Sequence, residues 1–151
     1  MSQPAGVPRI RVLRGVTEGG KTEITVWSWD STLPRTVKDF EKANPDITVK
    51  VTNAGTNKTE YTALNNALSA GKGAPDLVQI EYYALPEYQV RGEIEDLSQF
   101  GAGKFSDFYT PGTWASVKLN GGVYALPMDS GPMAWFYNKD VFDKAGVDPT
   151  R

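Results

Sequence analysis

Ile24-Thr25-Val26-Trp27-Ser28-Trp29-Asp30-Ser31-Thr32-Leu33 is the stretch in which the hydrophobic period changes from two to that of a helix. Residues 24–27 are β-branched and aromatic, which predicts a strand. Asp30, Ser31 and Thr32 offer N-cap chemistry ahead of Leu33, Val37 and Phe40, spaced as one helix face. Asn44-Pro45-Asp46 stops that helix, and Ile47-Thr48-Val49-Lys50-Val51 alternates as the next strand. The polar loop 53–57 then leads to Thr59, the expected cap of a helix carrying Tyr61, Leu64 and Leu68 and ended by Gly71 and Gly73. Leu77-Val78-Gln79-Ile80 reads as a third strand, followed by a helix from about Leu85 to Val90. This β-α-β-α-β-α order predicts an α/β fold with a mostly parallel sheet flanked by helices and right-handed crossovers.

Beyond Leu97 the pattern loosens. Phe105, Phe108, Tyr109, Trp114 and Val117 suggest two short helices broken at Pro111-Gly112. Leu119-Asn120-Gly121-Gly122-Val123-Tyr124 reads as a hairpin, because Asn-Gly adopts the positive φ angles that tight hairpin turns need. Residues 125–132 are extended, Met133 to Tyr137 reads as a strand, and Asp140 to Ala145 as a helix closed by Gly146. At the other end, residues 1–21 set Arg9, Arg11, Arg14 and Lys21 against Glu18 alone. They have no apolar run of signal-peptide type, so they read as a flexible leader ahead of a folded unit beginning at residue 22.

Composition narrows the chemistry. The 151 residues contain neither cysteine nor histidine. Thiol nucleophiles, Ser-His-Asp triads, the usual zinc sites, haem and iron–sulfur ligation all need one or the other, and no cofactor is expected. Sixteen basic against eighteen acidic residues give no support to nucleic-acid binding. No apolar run approaches the length of a membrane span, so membrane association is expected only through a partner or an anchor. What remains is carboxylates, amides, hydroxyls, four Trp and seven Tyr. That set suits a polar, ring-shaped ligand.

In parallel α/β sheets ligands bind beyond the carboxyl ends of the strands, here the loops 28–32, 53–57 and 81–84. Trp27 and Trp29 share one face of the first strand; Trp27, nearer its centre, is expected in the core and Trp29 at the exposed rim. Aromatic faces stack on the C–H surface of sugars while carboxylates and amides fix the hydroxyls. Asp30, Glu81 and Asp129 also admit a second reading, a general acid and base pair of a glycoside hydrolase. For Asp30 the plainer role is to cap its helix. Gly15-Val16-Thr17-Glu18-Gly19-Gly20-Lys21-Thr22 matches the phosphate-loop pattern, yet Thr22 opens a strand where that loop needs a helix. Asn57-Lys58-Thr59 fits a glycosylation acceptor, and Thr59 is better read as a cap.

Several segments resemble, in order, the extracellular solute-binding proteins of ABC sugar importers, in wording closest to the actinobacterial carbohydrate-binding branch. They are Ile24 to Asp30, Phe40-Glu41-Lys42-Ala43-Asn44-Pro45-Asp46-Ile47, Ala74-Pro75-Asp76-Leu77-Val78, Gly122-Val123-Tyr124-Ala125-Leu126-Pro127 and Tyr137-Asn138-Lys139-Asp140-Val141-Phe142. The resemblance implies the N-terminal lobe of a two-lobe periplasmic-binding-protein-like fold, with a carbohydrate held between the lobes and passed to a membrane permease outside the cytoplasm. It places ligand contacts at Trp29 and Asp30, Thr56 and Asn57, Glu81 and Tyr82, and Asp129 with Ser130, with stacking by Trp29 and Tyr82 and hydroxyl recognition by Asp30, Glu81 and Asp129. It also implies a lobe over residues 22–130, with residues 131–151 as the crossover and the start of a second lobe. Members of the family are usually more than twice as long and carry an export signal and a lipid-anchoring cysteine. The chain is accordingly expected to be a fragment, and a remnant able only to self-associate is the third reading.

Overall fold

The computed structural model describes residues 15–16, 20–131 and 134–149. The central strand β2 (Thr22–Trp27) runs parallel to β3 (Ile47–Thr52) over its whole length, with Thr22 opposite Ile47 and Trp27 opposite Thr52. Two short strands pair with β2 as well. The antiparallel β1 (Gly15–Val16) pairs with Thr22 and Glu23, and the parallel β4 (Leu77–Val78) pairs with Val26 and Trp27. Helix α1 (Leu33–Ala43) links β2 to β3, α2 (Lys58–Ala70) links β3 to β4, and α3 (Leu85–Val90) follows β4. The expected β-α order and parallel sheet are therefore present. Thr22 opens β2 and no helix follows Lys21, so the phosphate-loop pattern lacks its structural setting.

Side chains complete the edges of this sheet. Between β1 and β4 the amide of Thr25 donates to Asp76 Oδ2 at 2.7 Å, and Thr25 Oγ1 donates to the same oxygen at 2.8 Å. Asp76 N–H returns a bond to Thr25 Oγ1 at 3.0 Å. On β3 the Val49 amide donates to Glu41 Oε1 of α1 at 2.8 Å, which ties that helix to the sheet. The bonds from the Thr25, Asp76 and Val49 amides each satisfy a backbone donor that the ladder leaves open.

Two apolar clusters form the core. Leu64 of α2 packs with Ala84 and Tyr88, and Trp27, partly buried, leans on this cluster from the carboxyl end of β2 rather than from the strand centre. Leu85, Ala102, Val117 and Val123 form the other, and Ile80 and Ile94 touch both. The second cluster is enclosed by 3-10 turns at Leu97–Phe100 and Ala102–Phe108, by α4 (Pro111–Ala115), and by the hairpin of β5 (Lys118–Leu119) and β6 (Gly122–Val123). Asn120 and Gly121, with φ of 49° and 87°, make the expected turn.

Four expectations are corrected. The sheet begins ahead of residue 22, because β1 pairs with Thr22 and Glu23 from inside the segment read as a leader. Thr59 is not the cap of α2: the helix starts at Lys58 with Asn57 as N-cap, and Thr59 lies in its first turn. Pro111 opens α4 rather than breaking a helix, because the first turn needs no proline amide and Thr110 caps it by accepting from Thr113 N–H. Residues 134–138 form no strand, since no described strand edge pairs with them; Trp135 and Phe136 are 100% and 92% exposed, and Met133 lies outside the described residues. Helix α5 (Lys139–Ala145) follows, capped by Asn138 and closed by Gly146.

Glu60, in the first turn of α2, is fully buried, and neither carboxylate oxygen has a hydrogen-bond partner among the described residues. Burial pushes its carboxyl up from 4.5 to about 7. Because the folded value is the higher one, the stabilising contribution is complete below about pH 4.5 and is lost as pH rises to about 7. At about 1.4 kcal/mol per unit, the loss is on the order of 3 kcal/mol. Urea midpoints of the wild type are expected to fall across that window, while those of Glu60→Gln stay flatter. Parallel profiles would remove Glu60 as the cause.

Candidate functional site

The loop after β2 is laced to one side chain. Gln79, immediately after β4, accepts at Oε1 from Ser28 Oγ at 2.7 Å and from Trp29 N–H at 3.1 Å. Its own amide donates to the Trp27 carbonyl at 2.8 Å. Ser28 is buried, and its Oγ in turn accepts from Asp30 N–H at 3.1 Å. Asp30 Oδ1 accepts from Thr32 N–H at 2.7 Å and Thr32 Oγ1 at 2.8 Å. Asp30 therefore caps the turn that leads into α1, whose N-cap position is Thr32. The Thr32 amide, and after it the Thr32 hydroxyl, hold the Asp30 carboxyl below the usual carboxylate range. A general acid at neutral pH needs the opposite shift.

After β3, Asn53 Oδ1 accepts from Gly55 N–H at 2.8 Å. Gly55 has φ of 108°, and a Cβ there would come within 2.6 Å of Thr59 Cγ2, so the loop lies flat on the start of α2. The Thr56 carbonyl accepts from Thr59 N–H at 3.0 Å, and the Asn57 carbonyl accepts from Tyr61 N–H at 2.9 Å. Both Thr56 and Asn57 are exposed.

After β4, Glu81 N–H donates to Tyr61 Oη at 2.8 Å, and the Glu81 carbonyl accepts the first amides of α3 from Ala84 and Leu85. Tyr82 Oη donates to the Asp129 carbonyl at 2.5 Å, and Ser130 Oγ accepts from Thr113 Oγ1 at 3.3 Å. Burial first, then the charge of Asp129, raises the Tyr82 phenol. Nearby, Tyr109 and Trp114 stack with centroids 5.7 Å apart at 9°.

Six of the eight residues singled out in the sequence fall into two adjoining groups. Trp29, Asn57 and Glu81 meet around Tyr61, whose ring lies 6.4 Å from that of Trp29, 6.5 Å from Tyr83 and 6.1 Å from Tyr88, all edge-on. Tyr82, Asp129 and Ser130 meet beside Thr113. Asp30 and Thr56 lie on the same loops with no side-chain contact to either group among the described residues. Trp29 is half-buried rather than fully exposed, because Tyr61 shields one side of it. Gln79 and Tyr61 were not among the expected site residues. A lone amide inside the apolar run Leu77-Val78-Gln79-Ile80 was the available signal for Gln79. Tyr61 occupies a helix-face position that reads equally well as core. Among the described residues no cluster of three or more acidic side chains is placed to hold a metal ion.

Aromatic, amide and carboxylate side chains thus stand at the carboxyl ends of the parallel strands, which is where α/β sheets bind ligands. Residues 27–151 match the family described as bacterial extracellular solute-binding protein, and the chain belongs to that family. It is 29% identical over 142 residues to the arabinooligosaccharide-binding protein of Bacillus subtilis (strain 168), covering 87% of this chain and 32% of that protein. Among solved structures it resembles the ABC transporter associated binding protein from B. animalis subsp. lactis Bl-04 in complex with beta-1,6-galactobiose. That match has 56% identity and a TM-score of 0.70, over 83% of this chain and 30% of the other. The galacto-N-biose-/lacto-N-biose I-binding protein from Bifidobacterium longum, in complex with lacto-N-biose, matches with 33% identity and a TM-score of 0.68, over 87% of this chain and 34% of the other. The chain spans about a third of the length of these relatives.

Gln79→Leu removes the acceptor of the buried Ser28 hydroxyl and of the Trp29 amide. The expected cost is about 1–3 kcal/mol in urea unfolding. Gln79→Glu keeps an acceptor and is expected to lose less. Equal midpoints for wild type and Gln79→Leu would show that the network contributes nothing net.

Proposed function

We propose that this chain is the N-terminal lobe of a carbohydrate-binding protein of an ABC importer, and that its ligand is a short β-galactoside of the β-1,6-galactobiose type. The observation that carries the reading is the 56% identity to a β-1,6-galactobiose-bound protein over 83% of this chain. The strand-end chemistry supports it. Trp29 and Tyr82 offer ring faces to the apolar side of a pyranose, and Glu81 and Asp129 accept its hydroxyls. Thr56, Asn57 and Ser130 add neutral hydrogen-bonding groups, and Asp30 adds the carboxylate oxygen that its Thr32 cap leaves free. The lobe comprises residues 22–130 together with the short strand β1, and residues 131–151 are the crossover into a second lobe.

The protein works by binding and release rather than turnover, delivering its sugar to a permease from the outer side of the membrane. Support comes from the relatives, which are binding proteins, and from the lowered carboxyl of Asp30, which is unsuited to proton donation. No helix among the described residues is long and apolar enough to cross a membrane.

Titration with β-1,6-galactobiose is expected to change the tryptophan emission of this chain. Trp29→Ala and Glu81→Gln are each expected to weaken binding by about tenfold, as loss of a stacking ring or a charged acceptor does. Glu87→Gln, at an exposed ion pair with Arg91, serves as the neutral control. An emission unmoved by galactobiose and by lacto-N-biose would overturn the sugar assignment.

A further inference from the structure

We infer that Tyr61 is a positioning residue of this site, a single side chain that sets the loops after β2 and β4 against one another before any ligand arrives. The inference rests on the sugar-binding reading for what the loops hold, but the geometry stands independently of it. Toward the loop after β2, the Tyr61 ring meets Trp29 edge-on at 6.4 Å. Toward the loop after β4, its hydroxyl accepts the Glu81 amide at 2.8 Å and its ring meets Tyr83 at 6.5 Å. Tyr88, buried in the core, meets the same ring at 6.1 Å and anchors the assembly from below.

Each of these contacts is directional. Edge-on aromatic pairs hold ring planes relative to one another, beyond the area they bury. Trp29 can stack on a sugar only if its plane is fixed, and among the described residues Tyr61 is the one ring that contacts it. The hydroxyl bond in turn places the backbone of Glu81, from which the carboxylate projects. Burial keeps the phenol protonated, its pKa pushed up to about 12, so the anchor is unaltered at any pH at which the protein works. A site held in this way loses less freedom on binding, and its affinity reflects the saving.

Three measurements on Tyr61→Phe and Tyr61→Leu test the assignment. The Trp29 component of the near-ultraviolet circular dichroism, isolated by difference against Trp29→Phe, reports the ring contact. Hydrogen exchange of the Glu81 amide reports the hydroxyl bond, and titration with β-1,6-galactobiose reports the site. Tyr61→Phe is expected to preserve the Trp29 band, to speed Glu81 exchange and to weaken galactobiose by about three- to tenfold, the equivalent of one hydrogen bond. Tyr61→Leu is expected to lose the band and to weaken binding by more than about tenfold. A Trp29 band unchanged in folded Tyr61→Leu, or Glu81 exchange unchanged in Tyr61→Phe, would overturn the role. Should Tyr61→Leu fail to fold, Tyr61→Phe decides through the exchange readout. A wild type that ignores galactobiose would defeat the sugar reading alone, since the dichroism and exchange results judge Tyr61 without ligand.

Discussion

The arrangement of this lobe depends on how little backbone pairing holds β4 in place. β4 contributes only Leu77 and Val78 to the sheet, opposite Val26 and Trp27. Two residues of parallel ladder do not fix the height of a strand against its neighbour, yet the loop after it carries Glu81, Tyr82 and Tyr83. The deficit is made up by side chains at either end of the strand. Asp76 clasps the amide and hydroxyl of Thr25, and Gln79 clasps the hydroxyl of Ser28 and the amide of Trp29. Both clasps run from the β4 segment to β2, so they act as two extra rungs. They are also partly buried, where an unmade bond costs more than a made one gains. The register therefore has one satisfied solution.

The same two strand ends are then fixed from above by Tyr61. Gln79 works through the backbone of the Trp29 loop, whereas Tyr61 works on the Trp29 ring itself. A ring held by its backbone alone keeps its χ freedom, and a ring held by a neighbouring ring alone can shift with its loop. Together they remove both freedoms. Tyr82 is treated in a parallel way, packed against the second apolar cluster and tied at its hydroxyl to the Asp129 carbonyl. Both aromatic platforms of the proposed site thus enter binding with their entropy already lost during folding.

The features legible in the sequence were those governed by local chemistry. Alternating Ile47 to Val51, the Asn120-Gly121 turn, the span of α3 and the glycine after α2 and α5 each follow from period, φ preference or capping within a few residues. What could not be read depends on partners remote in the chain. Thr59 has the residue type of a cap, but α2 begins at Lys58 with Asn57 at the N-cap and no side-chain capping bond, so capping chemistry did not set the boundary. Residues 134–138 have the composition of a strand, but strand formation needs a neighbouring edge as well as propensity. Gln79 and Tyr61 act on residues about fifty and thirty positions away, and neither side chain carries a local sign of that duty. The loops of the candidate site were therefore legible, while the residues that hold them were not.

Among the three strand-end carboxylates, local bonding separates their capacities. Asp30 spends one oxygen on the Thr32 amide and hydroxyl, and its lowered pKa keeps it ionised. It can accept a hydroxyl at its other oxygen but cannot supply a proton near neutrality. Glu81 is placed through its backbone alone, and Asp129 likewise lends its carbonyl to Tyr82. Both keep their carboxylate oxygens clear of those positioning bonds. Held by their backbones alone, both carboxylates keep their χ freedom and can follow a ligand hydroxyl, whereas the Trp29 ring is held by its loop and by the Tyr61 ring together. The rigidity derived from Gln79 and Tyr61 therefore acts on the rings of the proposed site and on the backbone beneath its acceptors.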